Sequence, residues 1–185
     1  MAGTTDECEI LQKDEIEVLE VGFFLVSVHP TDPQSIYPSQ LTLLPNPSSR
    51  PGRLLSISIS IALPSSFPTI LKQSTSTTGS SALLPTLEIA HLPPITVRLL
   101  LPPSYPLQLP PKVLSLRANL PDGDLRHHWM EKNLLGKVEN RMIELWEEEK
   151  AVLGEGAGVM WRWWEWIGVG DFLTDLGCIE HGELR

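Results

Sequence analysis

The chain has 185 residues, 42% of which are hydrophobic, and a formal net charge of −9 at pH 7. This length suits one domain with its own core, and the composition argues against a chain that is disordered throughout. The acidic balance excludes the basic footprint on which nucleic-acid binding depends, and an anionic membrane would also repel the chain. We therefore expect neither a nucleic acid nor a membrane as partner, and a charged protein partner should be basic.

The two cysteines, Cys8 and Cys178, lie near opposite ends of the sequence. The acidic amino terminus lacks the apolar core of a secretory signal, and no apolar run approaches the ~20 residues of a transmembrane helix. The expected compartment is the reducing cytosol or the nucleus, with both thiols free. Two cysteines do not suffice for a zinc ribbon or a RING module, so we expect no metal and no cofactor.

The first predicted element is a short helix that Thr4 or Asp6 can cap. Its apolar residues recur sparsely at helical spacing, at Leu11, Ile16 and Leu19. Carboxylates fill its opening turns, where they suit the helix dipole. The exposed side of this helix is therefore strongly acidic.

Residues 21–34 read VGFFLVSVHPTDPQ, an apolar burst followed by turn residues. One interpretation is a genuine extra strand at residues 23–28. The other is that these residues translate an intron that was left in the coding sequence. Every valine codon begins with GT and a glutamine codon can be CAG, and these are the end signals of an intron. Sequencing the transcript separates the two, since reads that cross the segment in most mature messages would contradict the intron.

Four strands are predicted next, at residues 41–44, 54–63, 95–101 and 112–118. The second is the clearest, because leucine and isoleucine alternate with serine from Leu55 to Ile61. This alternation predicts an antiparallel sheet with one buried and one polar face. Residues 64–86 are rich in serine and threonine and are predicted to form a flexible loop.

The hydrophobic period then changes from two to about three and a half. Apolar residues at helical spacing, from Met130 to Leu145, predict a helix that runs to about Leu153. Gly136 weakens this helix by roughly 1 kcal/mol relative to alanine. The glycine-rich break at residues 154–158 separates it from a last helix that begins near Val159.

All six tryptophans lie between Trp129 and Trp166, four of them in the segment WRWWEW. Neighbours on a helix differ by about 100°, so these four cannot share one face. We expect most of them to fill the interface between helices and sheet. At least one should lie at or near the surface, where tryptophan is enriched at binding hot spots.

Residues 97–116, VRLLLPPSYPLQLPPKVLSL, contain a proline hinge between two apolar runs. Proline fixes φ and removes a backbone donor, so the hinge belongs to neither strand. The motif residues are Tyr105, Pro106, Pro110 and Pro111. Their spacing resembles the signature of RWD domains, non-catalytic relatives of the ubiquitin-conjugating enzyme fold. When residues 21–34 are removed, the flanking segments join as EIEVLE-SIYPSQL, which resembles the opening of the same domains.

This resemblance implies an α+β fold, a four-stranded antiparallel meander with helices packed on one face. The domain would span residues 1–177, followed by a tail at 178–185. Residues 145–173 resemble more narrowly the RWD domain that opens ring-finger-14-type RING-between-RING ubiquitin ligases, in its fungal form. The resemblance implies a protein-interaction module linked to translation or stress control. Its partners would be components of the ubiquitin pathway and a ribosome-associated HEAT-repeat protein.

No catalytic constellation stands out, and we expect no enzyme in this chain. Ubiquitin-conjugating enzymes need a cysteine nucleophile downstream of their turn, whereas no cysteine lies between Pro111 and Gly177. An acidic helical surface could instead receive a basic peptide. The predicted contact residues are Glu15, Glu17, Trp146, Glu147 and Glu148. The alternative is an inactive ubiquitin-conjugating-enzyme-like domain that binds ubiquitin itself.

Overall fold

The computed structural model describes residues 5–28, 40–46, 51–63, 69–71, 87–89, 91–118, 130, 132–180 and 183–184. Within these residues the helices are α1 (Thr5–Val28), α2 (Lys132–Leu153), α3 (Met160–Gly168) and α4 (Asp171–Asp175). The strands are β1 (Gln40–Leu44), β2 (Arg53–Ala62), β3 (Thr69–Leu71), β4 (Leu87–Ile89), β5 (His91–Leu101), β6 (Lys112–Ala118), β7 (Ile179–Glu180) and β8 (Glu183–Leu184).

Strands β1, β2, β5 and β6 form an antiparallel sheet in that order. In its centre Leu55 lies opposite Leu99 and Ile59 lies opposite Ile95. These four side chains are buried, while the serines that alternate with them on β2 are only partly covered. Because side chains alternate between the faces of a strand, one face of the sheet is the core face. The predicted α+β fold with a four-stranded meander is confirmed.

The helices complete the core on the buried face of this sheet. Helix α1 contacts β1, α3 contacts β2 and α2 contacts β6, so α1 and α2 stand over opposite edges. Trp163 and Phe172 are among the largest fully buried side chains. The indole N–H of Trp163 donates to the carbonyl of Met142 at 2.7 Å, which satisfies its one polar group and joins α3 to α2.

Helix α1 is longer than the sequence predicts, since it continues to Val28. The interpretation of residues 23–28 as an extra strand is therefore wrong. Composition alone does not separate a strand from a helix in a short apolar run, and extending an existing helix adds one hydrogen bond per residue fixed. Residues 29–34 lie outside the described residues, and the retained intron stays a prediction about the transcript.

A second small sheet lies where the sequence predicts a loop and a tail. Its strand order is β4-β3-β8-β7, and β3 pairs in parallel with β8. Strand β3 falls within the predicted flexible loop, and both β7 and β8 fall within the predicted tail at residues 178–185. Strands of two or three residues are too short to show alternation, and the pairing of Ile70 with Glu183 joins distant parts of the chain. The other residues of 64–86 lie outside the described part.

Gly136 is the position at which a substitution should stabilise the protein. It is exposed inside α2, and a Cβ placed there would meet no atom of the described residues within 4 Å. Gly136→Ala should raise the free energy of unfolding by roughly 0.5–1 kcal/mol, because alanine loses less conformational entropy in a helix. Urea denaturation measures the change. Gly154→Ala is the control and should lose stability, because Gly154 has a φ of +88°. No gain at position 136 would contradict the prediction.

Candidate functional site

The hinge between β5 and β6, residues 102–111, folds as consecutive turns around Tyr105. The amide of Tyr105 donates to the carbonyl of Pro102 at 3.0 Å, and the amide of Gln108 donates to the carbonyl of Ser104 at 2.9 Å. The Tyr105 side chain is fully buried. The three motif prolines are buried or partly buried: Pro106, Pro110 and Pro111. The hinge therefore directs its tyrosine into the core.

Helix α1 is hydrogen-bonded to this hinge by two side chains. The hydroxyl of Tyr105 donates to Glu15 Oε2 at 2.7 Å. Gln12 Nε2 donates to the carbonyls of Pro102 and Tyr105, at 2.8 and 2.9 Å. Gln12 is buried, and these contacts satisfy its amide N–H groups. The start of the chain is thus fixed to a turn about ninety residues further on.

Glu15 and Tyr105 also complete the amino-terminal end of α3. The amide of Val159 donates to Tyr105 Oη at 3.0 Å, and the amide of Met160 donates to Glu15 Oε1 at 2.7 Å. The first amides of a helix have no acceptor within the helix, and a carboxylate suits its positive end. We call Gln12, Glu15, Tyr105, Val159 and Met160 the α1–hinge–α3 junction.

The junction contains a carboxyl group that titrates near neutral pH. Burial raises the pKa of Glu15 to about 7, although the hydrogen bonds from Tyr105 and Met160 act to lower it. Burial also raises the pKa of Tyr105 well above its ordinary value, and the negative charge of Glu15 adds to that effect. A carboxyl with such a pKa can serve as a general base. Here both of its oxygens accept internal hydrogen bonds, which join α1 to the hinge and to α3.

Gly158 leaves the room that the Glu15 carboxyl group occupies. A Cβ at position 158 would overlap that group, which cannot withdraw without losing its bonds to Tyr105 and Met160. Gly158→Ala should therefore lower the free energy of unfolding by roughly 1–3 kcal/mol. Urea denaturation measures the loss, and Gly136→Ala is a matched control with the opposite expected sign. Unchanged stability at position 158 would show that the junction is looser than its contacts indicate.

The structure divides the five predicted contact residues between the interior and the surface. The carboxyl group of Glu15 is engaged in the junction. Trp146 is only 5% exposed, and Lys150 Nζ lies 5.0 Å from the centroid of its ring. This corrects the expectation for Glu15 and Trp146, because neither presents its functional group to a partner. The other three are exposed: Glu17 on α1, and Glu147 and Glu148 on α2.

The exposed carboxylates form two separate surfaces, since α1 and α2 stand over opposite edges of the sheet. On α2, Arg141 pairs with Glu144 at 3.1 Å and with Glu148 at 2.6 Å. Exposed pairs of this kind contribute about 0–1 kcal/mol to stability. Glu147 forms no ion pair with any side chain that the structure describes. Of Glu147 and Glu148, it is therefore the carboxylate better placed to meet a partner.

Of the tryptophans that the structure describes, Trp161 is the exposed one, at 38% exposed, while Trp163 and Trp166 are buried. Its ring lies 4.6 Å from that of Trp164, measured between centroids. It also lies against Gly22 of α1, where any Cβ would overlap it. The prediction that helical spacing divides these tryptophans between core and surface is confirmed.

Three residues with clear roles were missed in the sequence: Gln12, Gly22 and Gly158. A signal existed for the first, because Gln12 and Glu15 fall on the helix face that Ile16 and Leu19 define. A polar residue within an apolar stripe indicates a buried hydrogen bond. Neither glycine gave such a signal, since its role is to leave space for a side chain distant in sequence.

The sheet, the hinge and the helices behind them define a fold of the ubiquitin-conjugating-enzyme-like class. A family model described as RWD domain matches residues 33–168, more than half of the chain. The chain therefore belongs to the RWD family, whose members are protein-interaction modules and generally non-catalytic. Among curated proteins and solved structures, none matches the chain. None of the helices that the structure describes has both the length and the apolar character needed to cross a membrane.

Proposed function

We propose that this RWD domain recruits protein partners for a RING-between-RING ubiquitin ligase linked to translation or stress control. The observation that carries the proposal is the RWD fold together with the tryptophan-rich segment at residues 145–173. That segment resembles the corresponding part of ring-finger-14-type ligases, in their fungal form. The domain would supply docking, and the full-length ligase would supply the chemistry through RING modules of its own.

The two thiols of the chain support a non-catalytic role. A cysteine that forms thioesters reacts as a thiolate, which a lowered pKa favours. Burial raises the pKa of the Cys178 thiol more than nearby Lys137 lowers it, and Cys8 is buried in the first turns of α1. Neither thiol lies in the interval between Pro111 and Gly177 where a conjugating enzyme carries its nucleophile. The domain then acts by binding.

The proposed partner is a ribosome-associated HEAT-repeat protein of translational control, which places the complex in the cytosol. The exposed carboxylates Glu17, Glu147 and Glu148 would meet basic side chains of that partner. A net charge of −9 favours such a partner over an acidic one and accelerates the encounter at low salt. Binding should accordingly weaken as the salt concentration rises.

Affinity capture from cell extract tests this proposal. The immobilised domain should retain the HEAT-repeat protein, and charge reversal on the contacting surface should abolish retention. The variants are Glu17→Lys and the double variant Glu147→Lys/Glu148→Lys. Glu155→Lys makes the same change of charge in the exposed turn before α3 and is the matched control. Retention of the same protein by every variant would argue against an acidic docking surface, and no retention by the wild type would reject this partner.

The second candidate is an inactive conjugating-enzyme-like domain that binds ubiquitin, which the conjugating-enzyme-like fold favours. Titration of isotope-labelled ubiquitin with the domain separates the two. Saturable chemical-shift changes on ubiquitin would support direct binding. Unchanged spectra, together with capture of the HEAT-repeat protein, would favour recruitment of a different partner.

A further inference from the structure

Helix α1 carries an exposed stripe opposite its buried face. Ile10, Val18 and Val21 are 60%, 57% and 52% exposed, and Asp14 and Glu17 are exposed between them. At about 100° per residue, these five positions lie within roughly 100° of one another around the helix. Apolar and acidic side chains therefore share one face over three turns of α1.

Trp161 of α3 extends this face. Its ring lies against Gly22, which follows Val18 by one helical turn, and residues four apart share a face. We define the α1 patch as Ile10, Asp14, Glu17, Val18, Val21 and Trp161. From its first to its last residue on α1 it is about 17 Å long, which matches three turns of a partner helix.

The composition of the α1 patch selects its occupant. Single exposed apolar residues need no explanation, but here three exposed aliphatic side chains share one face of α1. A tryptophan, the residue most enriched at binding hot spots, lies against Gly22 at the end of that face. Asp14 and Glu17 disfavour an anionic membrane, and they would repel their own copies across a symmetric contact between two chains. Their charge is complementary to lysine and arginine, and the exposed ring of Trp161 can also receive a cation.

We propose that the α1 patch docks a basic amphipathic helix of a partner protein. Aliphatic side chains of that helix would cover Val18, Val21 and Trp161, and its lysine or arginine side chains would pair with Asp14 and Glu17. The proposal rests on the proposed function, because it names the class of partner that an interaction module of this kind recruits.

A fluorescein-labelled helical peptide of leucine and lysine, with leucine at helical spacing, is the probe. Its binding to the full chain is followed by fluorescence polarisation. Two variants alter the patch, Asp14→Lys/Glu17→Lys for charge and Val18→Ser/Val21→Ser for apolar contact. Each should lower the affinity at least about tenfold, which corresponds to about 1.4 kcal/mol. Glu155→Lys makes the same kind of charge change in the exposed turn before α3 and should leave the affinity within about twofold. Far-ultraviolet circular dichroism establishes that each variant is folded.

Several outcomes would overturn the proposal: no saturable binding, equal affinity in all variants, loss only in Glu155→Lys, or equal binding of a leucine–glutamate peptide. The capture experiment separates this failure from that of the proposed function. If the Asp14→Lys/Glu17→Lys variant still captures the HEAT-repeat partner, the α1 patch is rejected as the docking site and the recruiting role stands. If the peptide binds at the patch but that partner is not captured, the proposal for the α1 patch stands and the link to translation is rejected.

Discussion

Tyr105→Ala should lower the free energy of unfolding by about 4 kcal/mol or more, the largest loss expected from any hinge substitution. Removing a buried aromatic ring costs roughly 3–5 kcal/mol, and here the amide of Val159 and the carboxyl group of Glu15 each lose a hydrogen-bond partner as well. A domain of this size is stable by only about 5–15 kcal/mol. Urea denaturation followed by tryptophan fluorescence measures the effect.

Two further variants show where that loss originates. Tyr105→Phe keeps the ring and removes the hydroxyl, and should cost roughly 1–3 kcal/mol. Leu109→Ala alters the same hinge at a side chain that is 52% exposed, and should cost less than about 1 kcal/mol. If Tyr105→Ala and Leu109→Ala have similar effects, Tyr105 does not anchor the junction.

Raising the pH from 5 to 8 should destabilise the protein through Glu15, by roughly 2–3 kcal/mol. The pKa of this carboxyl group is about 7 in the folded protein, above its ordinary value of 4.5. Between these two values the folded state holds a proton that the unfolded state has released, so stability falls as the pH rises. Well above this folded-state pKa both states are ionised and the loss is complete. Urea denaturation at half-unit intervals of pH measures the slope.

Glu15→Gln isolates this contribution from the other carboxylates of an acidic chain. Glutamine has the shape of the protonated side chain and can form hydrogen bonds with both Tyr105 and the amide of Met160, but it does not titrate. The variant should therefore lose less stability than the wild type between pH 5 and 8, and it should be the more stable of the two at pH 8. Glu17→Gln removes an exposed carboxylate two residues away, and its pH dependence should follow that of the wild type. Parallel curves for wild type and Glu15→Gln would contradict the assignment.

The hydrogen bonds of the α1–hinge–α3 junction affect both the stability of the domain and the α1 patch. The junction fixes α1 to the hinge and to the first amides of α3, and the α1 patch is formed by residues of α1 and α3. Variants of the junction that still fold are therefore expected to weaken docking at the patch. Variants of Glu147 or Glu148 lie on α2, over the opposite edge of the sheet, and leave the junction unaltered.

Local chemistry in the sequence determined much of the fold. The alternation from Leu55 to Ile61, the proline motif around Tyr105 and the helical spacing from Met130 to Leu145 each depend on residues close together in the chain. Each pattern therefore predicted its element and, on β2, the buried face as well. The proline motif also indicated the family, because a rigid turn of fixed spacing is a local property.

The tertiary structure alone decided the direction of Glu15, the burial of Trp146, the helical state of residues 21–28 and the sheet that joins β3 to β8. Each depends on a contact whose other side lies far along the chain. The carboxyl group of Glu15 points inward because it accepts hydrogen bonds from Tyr105 and Met160, which are 90 and 145 residues away in the sequence. Helical spacing assigns a residue to a face of its own helix, whereas the fold decides which faces other elements cover.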